Sequence, residues 1–320
     1  MKISTFIRIH AAVILLALFC EIAQAQTSDS AKHYLKQGLA RYKSGDLDGA
    51  IADFTRAIEM NSHAGEAYKK DGRLRNLVED KTGPAEPSRV VVVDRFNALA
   101  YYNRGIAWAA RGEAGRAVED FDKAIKIDPL YVEAYIRRGR CRHSAGDMDR
   151  AINDYSRAIA LDPRSAYAYN NRGIARRVKE DIAGAISDFD AAISINPQLA
   201  EAYINRGAAR CVIGNLAGAV ADLDKAIAIN PQNAMAYNNR GKARQLQGNM
   251  AGAVADYNEA VAIDPSYAMA YANRGLARFI EGNTAEAEKD FKRCLALQPG
   301  LKTSLEQLIH EIKAAKGSKQ

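Results

Sequence analysis

Residues 234–265 read AMAYNNRGKARQLQGNMAGAVADYNEAVAIDP. Tyr237, Gly241 and Ala243 fall at helical spacing, Gly248-Asn249 interrupts, and Ala253, Tyr257 and Ala260 resume the spacing before Asp264-Pro265. The pattern predicts two amphipathic helices joined by a tight turn. Glycine makes the left-handed stop of the first helix cheaply, the following Asn caps the second, and a residue before proline leaves helical geometry. The closing proline recurs at Pro129, Pro163, Pro197, Pro231, Pro265 and Pro299, a fixed interval of 34 residues. Such a period marks a stacked repeat array, which works through its long surface more often than through a closed cavity.

Alignment on the prolines gives seven clear units, 31–64, 98–131, 132–165, 166–199, 200–233, 234–267 and 268–301, and a degenerate eighth over 65–97. Tyrosine fills the fourth slot of all eight, from Tyr34 and Tyr68 to Tyr271, and glycine follows four residues on, where the missing side chain lets a second helix approach. Asp46, Asp147, Asn215, Asn249 and Asn283 stand where a cap for the second helix belongs. Arg104, Arg138, Arg172, Arg206, Arg240 and Arg274 pair in register with Asp120, Asp154, Asp188, Asp222, Asp256 and Asp290. That recurrence reads as an ion pair joining the two helices of each unit, with little net stability if exposed. Unit 31–64 has Asp53 but only Gln37 opposite.

A large aromatic, then Gly, Ala, an aromatic, Ala and Pro over 34 residues resembles the tetratricopeptide repeat across residues 31–301. The resemblance implies an all-α, right-handed superhelical solenoid with first helices on the concave face and second helices on the convex back. Leu305, Leu308, Ile309 and Ile312 form an apolar stripe in 302–320, expected to be a helix that covers the end of the stack, with Ser304 and Gln307 resembling a capping box. Unit 65–97 departs from the pattern: Pro84 and Pro87 argue against a second helix, and Val90 to Val93 prefer an extended form. A helix followed by a non-helical excursion is expected there.

The first 25 residues have another character. Lys2, Arg8 and His10 precede the apolar run Ala11 to Phe19, and Ala23-Gln24-Ala25 places small residues for cleavage after Ala25. This is the layout of a secretory signal. Bulky Phe19 before Cys20 fits a lipoprotein signal poorly, and the run is short for a membrane span. The mature chain, 26–320, is therefore expected to be exported, periplasmic or secreted, without an integral span. Its loss of Lys2, Arg8 and Glu21 moves the formal charge from +7 to +6. A basic exported protein favours acidic partners; nucleic acid is not expected, since no stacking platform of aromatics interleaves the basic residues. Of the remaining cysteines, Cys141 and Cys294 occupy alanine slots and are expected in the core, whereas Cys211 is expected near a groove.

In this family, groove contacts come from the exposed face of each first helix. The sixth slot reads Asn103, Arg137, Asn171, Asn205, Asn239 and Asn273. The row is similar to the asparagine ladder of the repeat superhelix of O-linked N-acetylglucosamine transferase, which grips the backbone of an extended peptide. An amide offers both a donor and an acceptor to a peptide unit. Basic residues, including Lys36, Lys69, Arg73, Arg137 and Arg140, gather toward the amino-terminal part, and Val212, Met235, Leu246, Met269, Leu276, Phe279 and Ile280 toward the carboxyl end. Lys69, Asn103 and Arg137 also match three of five slots of the family's carboxylate clamp, while Arg73 and Glu133 depart from it.

His33, His63, His143 and His310 are isolated, so no metal spacing appears, and no phosphate loop or nucleophile elbow is visible. No catalytic residue and no cofactor are expected. The residues point to a non-enzymatic scaffold holding a protein or peptide, with an acidic segment suited to the basic part. The alternative is a structural element that associates with itself or binds an anionic envelope polymer through its basic surface.

Overall fold

The computed structural model describes residues 29–71, 77–78, 91–92 and 94–317, with side chains over 29–61 and 94–312. The signal-like segment, most of 65–97, and the side chains of Lys69 and Arg73 lie outside the described residues. The chain forms two compact units, one ending at Asp162 and the other beginning at Pro163.

In the first unit, α1 runs through 29–44, α2 spans Leu47–Asp71, and α3 (Arg95–Ala110), α4 (Ala114–Ile127), α5 (Val132–Ser144) and α6 (Met148–Leu161) follow. Helix α2 continues past the expected end of its unit because Ser62 stands where the other units carry proline, so nothing breaks it. Beyond it, Leu77–Val78 (β1) pairs antiparallel with Val91–Val92 (β2), within the valine run read as extended. Helix α3 packs directly on α2. The Arg104 Nη1 to Thr55 Oγ1 bond (3.0 Å) joins residues 49 apart, whereas the equivalent Arg138 to Asp122 bond joins residues 16 apart. The extra 33 positions equal the length of 65–97, so unit 98–131 stacks on unit 31–64. Asp94 caps α3 through Asn97 N (3.1 Å) and accepts from Asn61 Nδ2 (3.0 Å), which ties the re-entry point to α2.

The second unit comprises α7 (Ala166–Val178), α8 (Ile182–Ile195), α9 (Ala200–Val212), α10 (Leu216–Ile229), α11 (Ala234–Leu246), α12 (Met250–Ile263), α13 (Ala268–Glu281) and α14 (Thr284–Leu297). A 3-10 turn, Pro299–Leu301, leads into α15 (Lys302–Gly317). The fold is all-α, built of helix-turn-helix repeats. In each clear repeat the slot-eight glycine lies against the second helix; a Cβ on Gly139 would stand 2.7 Å from the Tyr155 ring. Leu305 of α15 is buried with Leu276, Ala287 and Phe291, and Ile309 and Ile312 pack against them, so α15 covers the end of this unit. Leu308 is exposed and leaves the expected stripe. Ser304 lies inside α15 because the 3-10 turn starts the helix earlier, so it forms no capping box. Asp46, Asp147, Asn215 and Asn249 accept cap bonds of 2.9–3.2 Å, whereas Asn283 makes none.

The arginine in slot seven is the hub of every clear repeat except the first. Its guanidinium lies 5.3–5.6 Å from the slot-four tyrosine ring. It grips the second-helix aspartate through both Nε and Nη2, as in Arg206 to Asp222 at 2.9 and 2.5 Å. A third bond reaches the preceding repeat: Arg138 to Asp122 (2.5 Å), Arg206 to Asp190 (2.6 Å), Arg240 to Asp224 (2.6 Å) and Arg274 to Asn258 (2.9 Å). A second arginine four residues on, such as Arg142 or Arg244, bonds the same aspartate at 2.8 Å. These aspartates are only 2–4% exposed, so the pairs are the internal ties between the two helices that their register implied, and their carboxylates are too buried for the small stability of an exposed pair to apply. Breaking such a pair costs about 3–5 kcal/mol by stranding a charge.

Two repeats break the scheme. Asp53 is 1% exposed, yet Gln37 replaces its slot-seven arginine, and among the described residues only Arg41 approaches as a cation, at 3.0 Å. We expect Gln37→Arg to raise the thermal midpoint, with a gain on the order of 1 kcal/mol; a lowered midpoint in calorimetry contradicts this. The turn after α7 carries Glu180 at φ 65° where the other clear repeats have glycine at φ 77–92°. Glu180→Gly should therefore stabilise by about 0.5–1 kcal/mol in urea unfolding.

Candidate functional site

The hubs use up the charged groups that bind helices together, and the remaining polar groups on the first helices mark where other molecules can bind. Helix α5 shows the division within six residues, Arg137 to Arg142. Arg138 and Arg142 are held by carboxylates. Arg137 and Arg140 have no acidic partner among the described residues. Both line an open depression of about 420 Å³ with Tyr42, Ile106, Ala109, Ala110, Cys141 and Ser144. Lys36 is exposed on α1 of the same unit. The depression is lined by apolar side chains and by two arginines, a combination that accommodates a carboxylate next to an apolar group.

Cys141 corrects the sequence expectation. The alanines at its slot are fully buried, but its longer side chain reaches into the depression and is half-buried. Burial pushes its thiol up from the ordinary value, and the Arg140 and Arg137 guanidiniums pull it partway back. Cys211 is half-buried with a thiol raised by burial, and Cys294 is fully buried in the core as expected.

In the second unit, α7 touches α9, α9 touches α11, and α11 touches α13, so the first helices make one continuous face. Its sixth-slot asparagines are half-exposed. Asn205 and Asn273 sit at seams between neighbouring first helices and do not project freely. Asn205 Nδ2 donates to Asn170 Oδ1 of the preceding repeat (3.0 Å), and Asn273 Nδ2 donates to Asn238 Oδ1 (2.8 Å). The Oδ1 atoms of Asn205 and Asn273 have no partner among the described residues. Asn171 makes no hydrogen bond there, and Asn239 only accepts a long one (3.5 Å) from Asn238. In the first unit, Asn103 turns back onto its own helix, donating to Leu99 O (2.9 Å). The buried fifth-slot pair, Asn170 and Asn238, escaped the sequence reading. Its signal was the doubled Asn-Asn at 170–171 and 238–239, in slots that hold Ile204 and Ala272 in the alternate repeats.

Apolar side chains flank this row. Val178, Val212 and Leu246 are 50–65% exposed in the thirteenth slot, and Met235 and Met269 are exposed in the second. Leu276 is buried under α15, with Phe279 packed beside it, so these two leave the exposed apolar set. Among the described residues, no group of three or more His, Cys, Asp or Glu is placed to hold a metal ion, and no helix is long and apolar enough to cross a membrane.

Family models for the TPR repeat match residues 139–177, 213–248 and 246–282, and models for the tetratricopeptide repeat match 35–74, 98–131 and 268–300. A tetratricopeptide repeat protein from Parabacteroides merdae superposes with a TM-score of 0.64 at 18% identity, over 89% of this chain and 99% of that one. The Pseudomonas aeruginosa PilF structure superposes with a TM-score of 0.58 at 18% identity, over 68% of this chain and 97% of that one. A NADPH oxidase activator of Dictyostelium discoideum is 31% identical over 93 residues, which is 28% of this chain and 14% of that protein's length.

The thiols give a direct check of the faces. A maleimide at pH 8 should label Cys141 and Cys211 in the native protein, more slowly than free cysteine because burial raises both thiols. Cys294 should react only after unfolding; native labelling of Cys294, or protection of Cys141, contradicts the arrangement.

Proposed function

Because the chain belongs to the tetratricopeptide repeat family, whose fold serves as a protein–protein interaction scaffold, we propose that it is a non-enzymatic scaffold that holds an extended polypeptide along its first helices. The observation that carries this reading is the amide row of the second unit, where Asn205 and Asn273 keep unpartnered carbonyl oxygens beside exposed Val212, Met235, Leu246 and Met269. Carbonyl oxygens accept main-chain N–H groups without regard to side chain, and apolar neighbours receive whichever side chains alternate toward them. Binding is then tolerant of sequence, each bond adding about 0.5–1.5 kcal/mol.

The partner carries an acidic segment in this reading. Support comes from Arg137 and Arg140, which no carboxylate among the described residues neutralises, and from the formal charge of +6 that remains once Lys2, Arg8 and Glu21 are removed. The scaffold works after export to the cell envelope; the basic start, the apolar run Ala11 to Phe19 and Ala23-Gln24-Ala25 support that step.

The test uses the chain from Gln26 onward and a phage-displayed library of random dodecapeptides, with the best binder titrated by calorimetry. Replacing Asn205 and Asn273 with Ala should weaken that binder by at least about tenfold while circular dichroism keeps its helical signal. Unchanged affinity, or a library that yields no binder, contradicts the reading.

A further inference from the structure

Asn170 and Asn238 are out of place by the rules of packing. They are 6% and 5% exposed, in a slot that the alternate repeats fill with Ile204 and Ala272, also buried. A primary amide at a buried slot is less favourable than an aliphatic one unless its bonds are made, and leaving one unmade costs about 1–3 kcal/mol. Stacking does not require it, because the repeats with Ile204 and Ala272 carry the same arginine hubs. Local rules broken without architectural need mark functional positions.

What each buried amide does is visible in its one inter-repeat bond. Asn170 Oδ1 receives the Nδ2 of Asn205, and Asn238 Oδ1 receives that of Asn273. Turned over, Asn205 or Asn273 would set oxygen against oxygen, so the bond fixes which end of its amide is left over. Asn238 is itself oriented, since its Nδ2 faces Tyr267 Oη (3.4 Å) and Asn239 Oδ1 (3.5 Å) and leaves its Oδ1 for Asn273.

We infer that Asn170 and Asn238 are positioning residues that hold Asn205 and Asn273 as fixed acceptors, creating two matching main-chain subsites two repeats apart. The inference rests on the peptide-holding reading above and gives the bound chain a register. Neighbouring packed helices lie 8–10 Å apart, so two repeats of touching first helices separate the subsites by roughly 16–20 Å. An extended chain advances about 3.3 Å per residue, which places the two gripped N–H groups about five or six residues apart.

The variants Asn170→Ile and Asn238→Ile borrow the residue that the chain already carries at Ile204, so folding is preserved by precedent. Three readouts apply, with the titrated dodecapeptide as probe. The thermal midpoint should stay level or rise. In Asn170→Ile the side-chain amide protons of Asn205, followed by nuclear magnetic resonance, should exchange at least about fivefold faster as their acceptor is lost. Affinity should fall about three- to tenfold for each variant, and trimming the peptide below about six residues should do no further harm to the double variant. If both variants bind at wild-type strength while the Asn205 and Asn273 alanine variant does not, the positioning role is overturned and the peptide-holding reading stands. If that alanine variant also binds normally, the reading itself falls.

Discussion

A single half-buried arginine in each clear repeat after the first governs this structure. Its guanidinium covers a tyrosine ring on its own helix, forks onto an aspartate of the partner helix, and in most repeats extends a third bond to the repeat before. Few side chains have the planar fork and the five donors for this; lysine could make one of the contacts but not all three. The aspartate is almost wholly excluded from water, so the arrangement is stable only while every donor finds its acceptor. Helix pairing and repeat stacking are thereby decided by one residue. Gln37, at the start of the array, shows the consequence of losing it, with Asp53 buried against a single neighbour.

With the architecture satisfied inside the stack, the surface groups left over become informative. Arg137 and Arg140 differ from Arg138 and Arg142 by one or two positions along α5, and that difference turns them from structural ties into free cations beside an apolar depression. In the second unit Asn205 and Asn273 of the asparagine row lie in the seams between first helices, with donors turned inward and carbonyls left over. A seam residue is more constrained than one on an open helix face, which suits a binding surface that must be ordered before its ligand arrives.

The repeats themselves were legible because their signals are local. Proline at a 34-residue interval, glycine before Asn or Asp, and tyrosine four residues before glycine each act through backbone geometry or close packing within one hairpin. Signals that depend on a neighbouring repeat were harder to read. Arg104 reaching Thr55 across an inserted stretch cannot be seen from spacing, because the spacing is what the insertion changes. The sixth-slot asparagines were placed on the right helices, but their partners at Asn170 and Asn238 come from a register between helices that only packing defines. Ser304 and Asn283 matched capping patterns that neighbouring geometry overrides, and Cys141 reached a surface that alanine in the same slot does not.

A crystal structure of the chain from Gln26 bound to an extended peptide tests the central claim most directly. The account predicts main-chain N–H groups of the peptide within hydrogen-bonding distance of Asn205 Oδ1 and Asn273 Oδ1, with side chains against Val212 and Leu246. A peptide lying on the second helices, or one held by side chains alone with both carbonyls still facing water, would contradict it.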